Sequence, residues 1–291
     1  MTIRSFLFVP GDSEKKLAKG AETRADALIV DLEDSVAASR KATARAMVAD
    51  YLAAAKTRTP ELWVRINPLD EGGIDDLAAI VRAAPDGIMI PKTEGPEDIL
   101  RLSHCLDALE ARDSVTKPAR ILPVATETAR SIFRLGLFAE QPLPRLYGLT
   151  WGAEDLATAL GASTNKGPDG AFADTYRMVR SHCLLAAKAA GVEAVDTLQA
   201  DFRDEEGLRA SSVRARKEGF SGRLAIHPAQ VAAINEGFLP TADEIAFAER
   251  VVAAFAAAPE AGTLALDGKM LDVPHLKQAK AILALSAAHA G

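Results

Sequence analysis

Two acidic motifs carry the most chemical information in this chain, Thr126-Glu127-Thr128 and Gly152-Ala153-Glu154-Asp155. Each follows a short apolar run, Ile121–Ala125 before Glu127 and Leu146–Trp151 before Asp155, and each opens a helix-like stretch. The carboxyl ends of neighbouring parallel strands are where an α/β barrel gathers its reactive groups. A hard dication such as Mg²⁺ takes one or two carboxylates there and fills its remaining positions with water and ligand oxygens. Glu127 and Asp155 are therefore the candidate metal ligands. Taken singly, each is equally a helix N-terminal acid stabilised by the helix dipole.

Further polar groups cluster at other strand ends. Asp31, Glu33 and Asp34 place three acids within four residues after an apolar strand. They could orient metal-bound water from behind the ligands, or cap the helix that follows. Arg65 closes the strand Trp63-Val-Arg-Ile-Asn67, and a guanidinium on a rigid strand suits bidentate capture of a carboxylate. An internal ion pair with the acids after the second strand is the competing and compatible reading. Lys92 reaches the same mouth or begins an exposed loop. His227 reads as a hydrogen-bonded structural histidine, and with no second histidine at ligand spacing zinc is disfavoured. Lys15, Lys16 and Lys19 could meet phosphates but also fit a solvated helix face. There is no phosphate-binding GxxxxGK[ST] loop and no GxGxxG.

What must position these groups is a run of βα units. Strands are expected at Ser5–Val9, Ala27–Asp31, Leu62–Ile66, Gly87–Ile90, Ile121–Ala125, Leu146–Thr150, Ala194–Thr197 and Leu224–Ile226. Most are continuously apolar rather than alternating, as in a parallel sheet buried on both faces. Helices are expected at Ala37–Ala55, Pro96–Arg112, Ala171–Ala190, Glu205–Glu218 and near Ala242–Ala258. Eight such strands point to a (β/α)8 TIM barrel, with a doubly wound open sheet as the alternative. The barrel is expected over residues 1–239, and a helical extension over 240–291 that carries its own motif, DGKMLDVP. Polar loop Ser163–Asp169 reads as a connector or a lid.

Composition narrows the function class. The 291 residues are 48% hydrophobic and 25% charged, which allows a large core. A net charge of −6 argues against nucleic acid and against an anionic membrane surface as partners. Two cysteines, Cys105 and Cys183, cannot build a disulfide framework, so a reduced, cytoplasmic setting is expected. No apolar run approaches the roughly 18 residues that a spanning helix requires.

The ordered set FLFVPG, IVDLEDSV, VRIN, IMIPKTEGPEDI, ETARS, GAEDLA, DFRDEEGL, IHPAQV and DGKMLDVP resembles the HpcH/HpaI aldolase and citrate lyase β-subunit family, closest to its CoA-ester lyase branch. Each motif alone is weak; their order from about Arg4 to Lys280 is specific. The resemblance implies a barrel with a C-terminal extension, a homotrimer or hexamer, and Mg²⁺ (with Mn²⁺ as substitute). It places the metal-binding pair on Glu127 and Asp155, with Glu127 also facing substrate. It places the substrate-carboxylate arginine on Arg65 and support of metal-bound water on Glu33 and Asp34. Asp272, otherwise readable as a turn residue before Val273-Pro274, takes the role of a proton-transfer group reaching a neighbouring subunit's site. The reaction implied is reversible Claisen-type cleavage of a CoA ester into an acyl-CoA and a 2-oxo acid, with thioester hydrolysis as a side activity. The competing expectations are a citrate-lyase-like subunit acting on a carrier-bound thioester, and a ligand-binding barrel without catalysis.

Overall fold

The computed structural model describes residues 2–55 and 59–289, which form two compact units, Thr2–Asn235 and Glu236–Gly291. The first unit holds eight strands: β1 (Ser5–Pro10), β2 (Ala27–Asp31), β3 (Glu61–Arg65), β4 (Gly87–Ile90), β5 (Arg120–Pro123), β6 (Gly148–Thr150), β7 (Glu193–Asp196) and β8 (Gly222–Ala225). Their order is β5-β4-β3-β2-β1-β8-β7-β6, every pairing parallel. The two ends meet through the parallel bridges Ile121↔Leu146 and Val124↔Thr150. There Tyr147 N donates to Ile121 O at 2.8 Å and Ala125 N to Thr150 O at 2.9 Å. The sheet thus closes on itself, which selects the (β/α)8 barrel over the open doubly wound sheet. Around it run α1 (Glu14–Ala21), α2 (Lys41–Ala54), α3 (Gly73–Ile80), α4 (Pro96–Asp113), α5 (Ala129–Ile132), α6 (Glu154–Ala159), α7 (Asp174–Ala189), α8 (Glu205–Glu218) and α9 (Gln230–Gly237).

Strand alternation builds the barrel interior in layers. Phe6, Ala27, Ile29, Trp63, Met89, Leu122, Val195 and Leu224 pack into one buried cluster. Trp63 sits edge-on to Phe6 and Tyr147, with centroids 5.6 and 5.2 Å away. Its indole has room because β4 begins with Gly87, where a Cβ would fall 2.3 Å from the ring. Trp63 pairs with Ile29 in register, so two residues further along the same inner face Arg65 pairs with Asp31. The period of two that fills the barrel with apolar side chains therefore delivers an acid and a base side by side at its carboxyl end.

In the second unit α10 (Ala242–Ala257) is followed by β9 (Thr263–Leu266), β10 (Lys269–Asp272) and α11 (Val273–Ala288). The strands form an antiparallel hairpin around Asp267-Gly268, both left-handed at φ 53° and 75°, the conformation a two-residue type I′ turn requires. Ala248, Val251, Phe255, Leu271 and Ala279 make this unit's own core. The sequence pointed to a helical extension; the hairpin between its helices is an addition. Among the described residues no helix is long and apolar enough to cross a membrane.

Candidate active site

Arg65 is held from several sides. Its Nε and Nη2 each donate to one Asp31 carboxylate oxygen at 2.7 Å, and its Cζ lies 4.8 Å from the centroid of the Phe8 ring. Asp31 also accepts the amides of Glu33 at 2.9 Å and Ser35 at 3.0 Å. Burial would raise the Asp31 carboxyl, but Arg65 and these amides outweigh it and hold the group below the usual carboxylate range. The Arg65 Nη1 lies 2.9 Å from Glu33 Oε2 and 3.8 Å from Asp34 Oδ2. The expected ion pair with the strand-two acids is thus present. With five N–H donors on a guanidinium, the Asp31 clamp still leaves N–H groups for a ligand.

Lys92, whose place the sequence left open, belongs to this centre. It follows β4 at φ 52°, and from there its amide donates to Glu127 Oε2 at 2.5 Å while its Nζ donates to Glu33 Oε1 at 2.5 Å. Glu127 is buried just beyond β5, ahead of α5, whose N-cap Thr128 accepts the Ser131 amide. Across from it, β6 leads through Trp151 and Gly152 to Asp155 in the first turn of α6. Gly152 N donates to Thr126 Oγ1 at 3.1 Å, and a Cβ at Gly152 would come within 3.0 Å of Glu127 Cγ. A side chain at Gly152 would press on Glu127 and Val124, so the glycine gives the Glu127 side chain its clearance.

Asp34, Arg65, Glu127 and Asp155 line one cavity of about 400 Å³, whose apolar wall includes Phe8, Trp151, Phe172, Leu198 and Ile226. Glu33, in contact with Arg65 and Lys92, completes the group of sequence-predicted residues in this unit. The apolar wall was not anticipated, although Phe8 is readable as an inward residue from its alternation with Phe6. Trp151 is fixed by its Nε1–H bond to buried Asp196 at 2.7 Å, and Arg180 holds that same carboxylate at 3.0 Å. His227 stacks on Phe202 with centroids 4.4 Å apart and accepts the Ala229 amide, a structural arrangement. Lys15, Lys16 and Lys19 are exposed on α1.

Asp272 lies in the Glu236–Gly291 unit, where it ends β10 and caps α11. Its Oδ1 is 2.5 Å from His275 Nδ1, and that contact holds the carboxyl below its ordinary value.

The electrostatics of the first unit test whether a dication fits. Burial pushes the Glu127 carboxyl up to about 8, and the charges of Asp155 and Glu33 push the same way against the Lys92 amide. Burial also raises Glu33, with Arg65 and Lys92 opposing. Burial that disfavours the charge of Glu127 and Glu33 is what a bound cation reverses. The donors are all oxygen, which suits Mg²⁺. Among the described residues no three His, Cys, Asp or Glu side chains converge as a ready-made metal cage. Two carboxylates with positions left for water and ligand oxygens remain a normal Mg²⁺ arrangement.

Comparisons with known proteins point to one family. The family model for HpcH/HpaI aldolase/citrate lyase matches residues 4–228. The mitochondrial citramalyl-CoA lyase of Rattus norvegicus is 35% identical over 297 residues, spanning 97% of this chain and 86% of its own length. The citrate lyase subunit beta of Haemophilus influenzae is 34% identical, with 96% of this chain and 95% of its own covered. The crystal structure of the protein CitE from Mycobacterium tuberculosis in complex with magnesium, acetoacetate and coenzyme A superposes with a TM-score of 0.82 at 32% identity, covering 98% of both chains. A closed parallel barrel, acids gathered at its carboxyl end and a match along nearly the whole sequence together place the chain in the HpcH/HpaI aldolase/citrate lyase family.

Proposed function

We propose that the chain is a Mg²⁺-dependent carbon–carbon lyase that reversibly cleaves a short 3-hydroxyacyl-CoA dicarboxylate, of the malyl-CoA or citramalyl-CoA kind, into an acyl-CoA and a 2-oxo acid. The observation that carries this reading is the convergence of Glu127, Asp155 and Arg65 on one cavity of about 400 Å³. That volume suits the dicarboxylate head of such a substrate. Relatives at similar identity act on such thioesters by name, and a solved relative holds magnesium, acetoacetate and coenzyme A together.

In this reading Glu127 and Asp155 hold the cation, with Mn²⁺ as a substitute. When bound, it supplies Lewis-acid charge at the oxygens of the oxo acid. Arg65, its fork fixed by Asp31, gives its remaining N–H groups to the acid's carboxylate and offsets that charge. Glu33 and Asp34 stand behind as acceptors for ordered water. In cleavage a base takes the hydroxyl proton, the C–C bond breaks, and its electron pair passes to the α-carbon of the thioester as an enolate. Asp272 is the proposed acid that returns a proton to that carbon, and in condensation the base that removes it. Segment 240–291 would bring Asp272 to the site of a neighbouring subunit in a homotrimer or hexamer. An acid or base so placed contributes on the order of 10²–10⁴-fold in rate.

A second reading is a β subunit of a citrate-lyase-like complex acting on a carrier-bound thioester. The Haemophilus relative, as similar as the rat enzyme, favours it. One assay separates the two. The purified chain is given Mg²⁺ with malyl-CoA, both citramalyl-CoA stereoisomers or citryl-CoA, and EDTA serves as control. Turnover that EDTA removes supports the self-sufficient lyase; silence on all four supports the carrier-dependent subunit.

A further inference from the structure

Five carboxylates crowd the mouth of the barrel: Asp31, Glu33, Asp34, Glu127 and Asp155. Two of the molecule's own cations, Arg65 and Lys92, stand among them. Asp31 is spoken for by the Arg65 fork, and Asp34 points out, its side chain 57% exposed. Glu33 is the unusual member. It is 3% exposed, and its Oε1 meets the Lys92 ammonium at 2.5 Å. Its Oε2, although 2.9 Å from Arg65 Nη1, accepts no well-formed hydrogen bond. Glu33 is also near enough for its charge to act on Glu127. Held where it is, Glu33 makes no three-carboxylate cage with Glu127 and Asp155, yet it keeps a buried carboxylate oxygen with a spare lone pair close enough to influence Glu127. Lys92 contacts both sides, with its amide on Glu127 Oε2 and its ammonium on Glu33 Oε1. Its backbone there is left-handed, at φ 52°, a conformation that lysine rarely adopts.

We propose that Lys92 is a positioning residue that sorts these carboxylates: its amide presents Glu127 to the dication, and its ammonium withholds Glu33 from it. The inference rests on the reading of Glu127 and Asp155 as the metal ligands. Keeping the centre at two carboxylates leaves more of the cation's charge, and more of its coordination positions, for substrate oxygens. A third carboxylate would tighten the ion and weaken its Lewis acidity, because affinity in oxygen sites rises with ligand charge.

The test uses Lys92→Met, which keeps the amide and removes the ammonium, and Lys92→Asn, whose side chain tolerates the left-handed backbone if methionine does not fold. Mg²⁺ is titrated calorimetrically into wild type and variants, and thioester cleavage is measured at saturating Mg²⁺. The variants are expected to bind Mg²⁺ roughly 3- to 10-fold more tightly, as added ligand charge dictates. Turnover should fall about 10- to 100-fold, the usual cost of losing a group that orients a metal ligand. Adding Glu33→Gln to Lys92→Met should return the affinity to that of wild type. Unchanged or weaker binding in the variants, or tightening that survives Glu33→Gln, overturns the proposal while the metal site stands. A wild-type protein that binds no Mg²⁺ overturns the metal-site reading and the inference with it.

Discussion

Asp31→Asn removes the partner that aims Arg65. In the native protein both Asp31 oxygens accept from the guanidinium at 2.7 Å, and the pair is 1% and 14% exposed at its side chains. Asparagine keeps the shape but presents an amide N–H₂ to another donor. Breaking a buried ion pair costs about 3–5 kcal/mol. Glu33, 2.9 Å from Nη1, remains as a partial partner and draws the expectation to the lower end, about 3 kcal/mol. For a protein of this size that lowers the midpoint of thermal unfolding by roughly 6–12 °C. The substrate effect follows from losing one well-aimed charged hydrogen bond, about 1.5–3 kcal/mol, so KM for the oxo acid in the condensation direction should rise about 10- to 150-fold. The stability difference also depends on pH. Asp31 titrates lower folded than its unfolded value of 3.8, so the unfolded chain binds more protons and the stabilisation is complete above that value. It fades as pH falls through the folded pKa, and the gap between wild type and variant should shrink there. Urea unfolding at pH 7 and near pH 3, with oxo-acid KM at pH 7, checks both parts. A variant within 0.5 kcal/mol of wild type at pH 7 (about the scatter of an ordinary surface substitution), with KM unchanged, would refute the reasoning.

Two further substitutions probe other parts of the account. Gly152→Ala places a Cβ within 3.0 Å of Glu127 Cγ and 3.2 Å of Val124 Cγ1, so stability should fall by about 1–3 kcal/mol and Mg²⁺ affinity with it; a variant binding Mg²⁺ normally would show that Glu127 needs no such clearance. Asp272→Ala should lose lyase turnover while keeping Mg²⁺ and oxo-acid binding. Mixed with a variant lacking a metal ligand it should regain activity in shared oligomers, and full turnover by Asp272→Ala alone would remove the residue from the proton-transfer role.

The barrel was legible because burial on both faces leaves a plain signature. Ala27–Asp31 reads as a strand residue for residue, since every position in it is buried. Glu205–Glu218 reads equally well because Asp204 caps its start and Gly219, at φ 115°, ends it. β5 stops at Pro123 rather than Ala125, and beyond it the Val124 and Ala125 amides turn to different partners, Ile90 and Thr150. The hairpin at Thr263–Asp272 escaped notice because its strands are four residues each, although Asp267-Gly268 was the available turn signal. At the site, acid positions followed from strand ends alone. The place of Lys92 did not, because it depends on a left-handed residue just past β4 that no periodicity encodes. Nor did the clearance at Gly152, which exists only once two strands are side by side.

The central claim is that Glu127 and Asp155 together hold a catalytic Mg²⁺. Calorimetric titration of Mg²⁺ into wild type and Asp155→Ala, with thioester cleavage followed on the same samples, tests it most directly. The account predicts that a single Mg²⁺ binds each wild-type chain. Asp155→Ala should show neither binding nor EDTA-sensitive turnover, with its unfolding transition and oligomeric state unchanged. An Asp155→Ala protein that binds Mg²⁺ and cleaves the thioester as wild type does would contradict it.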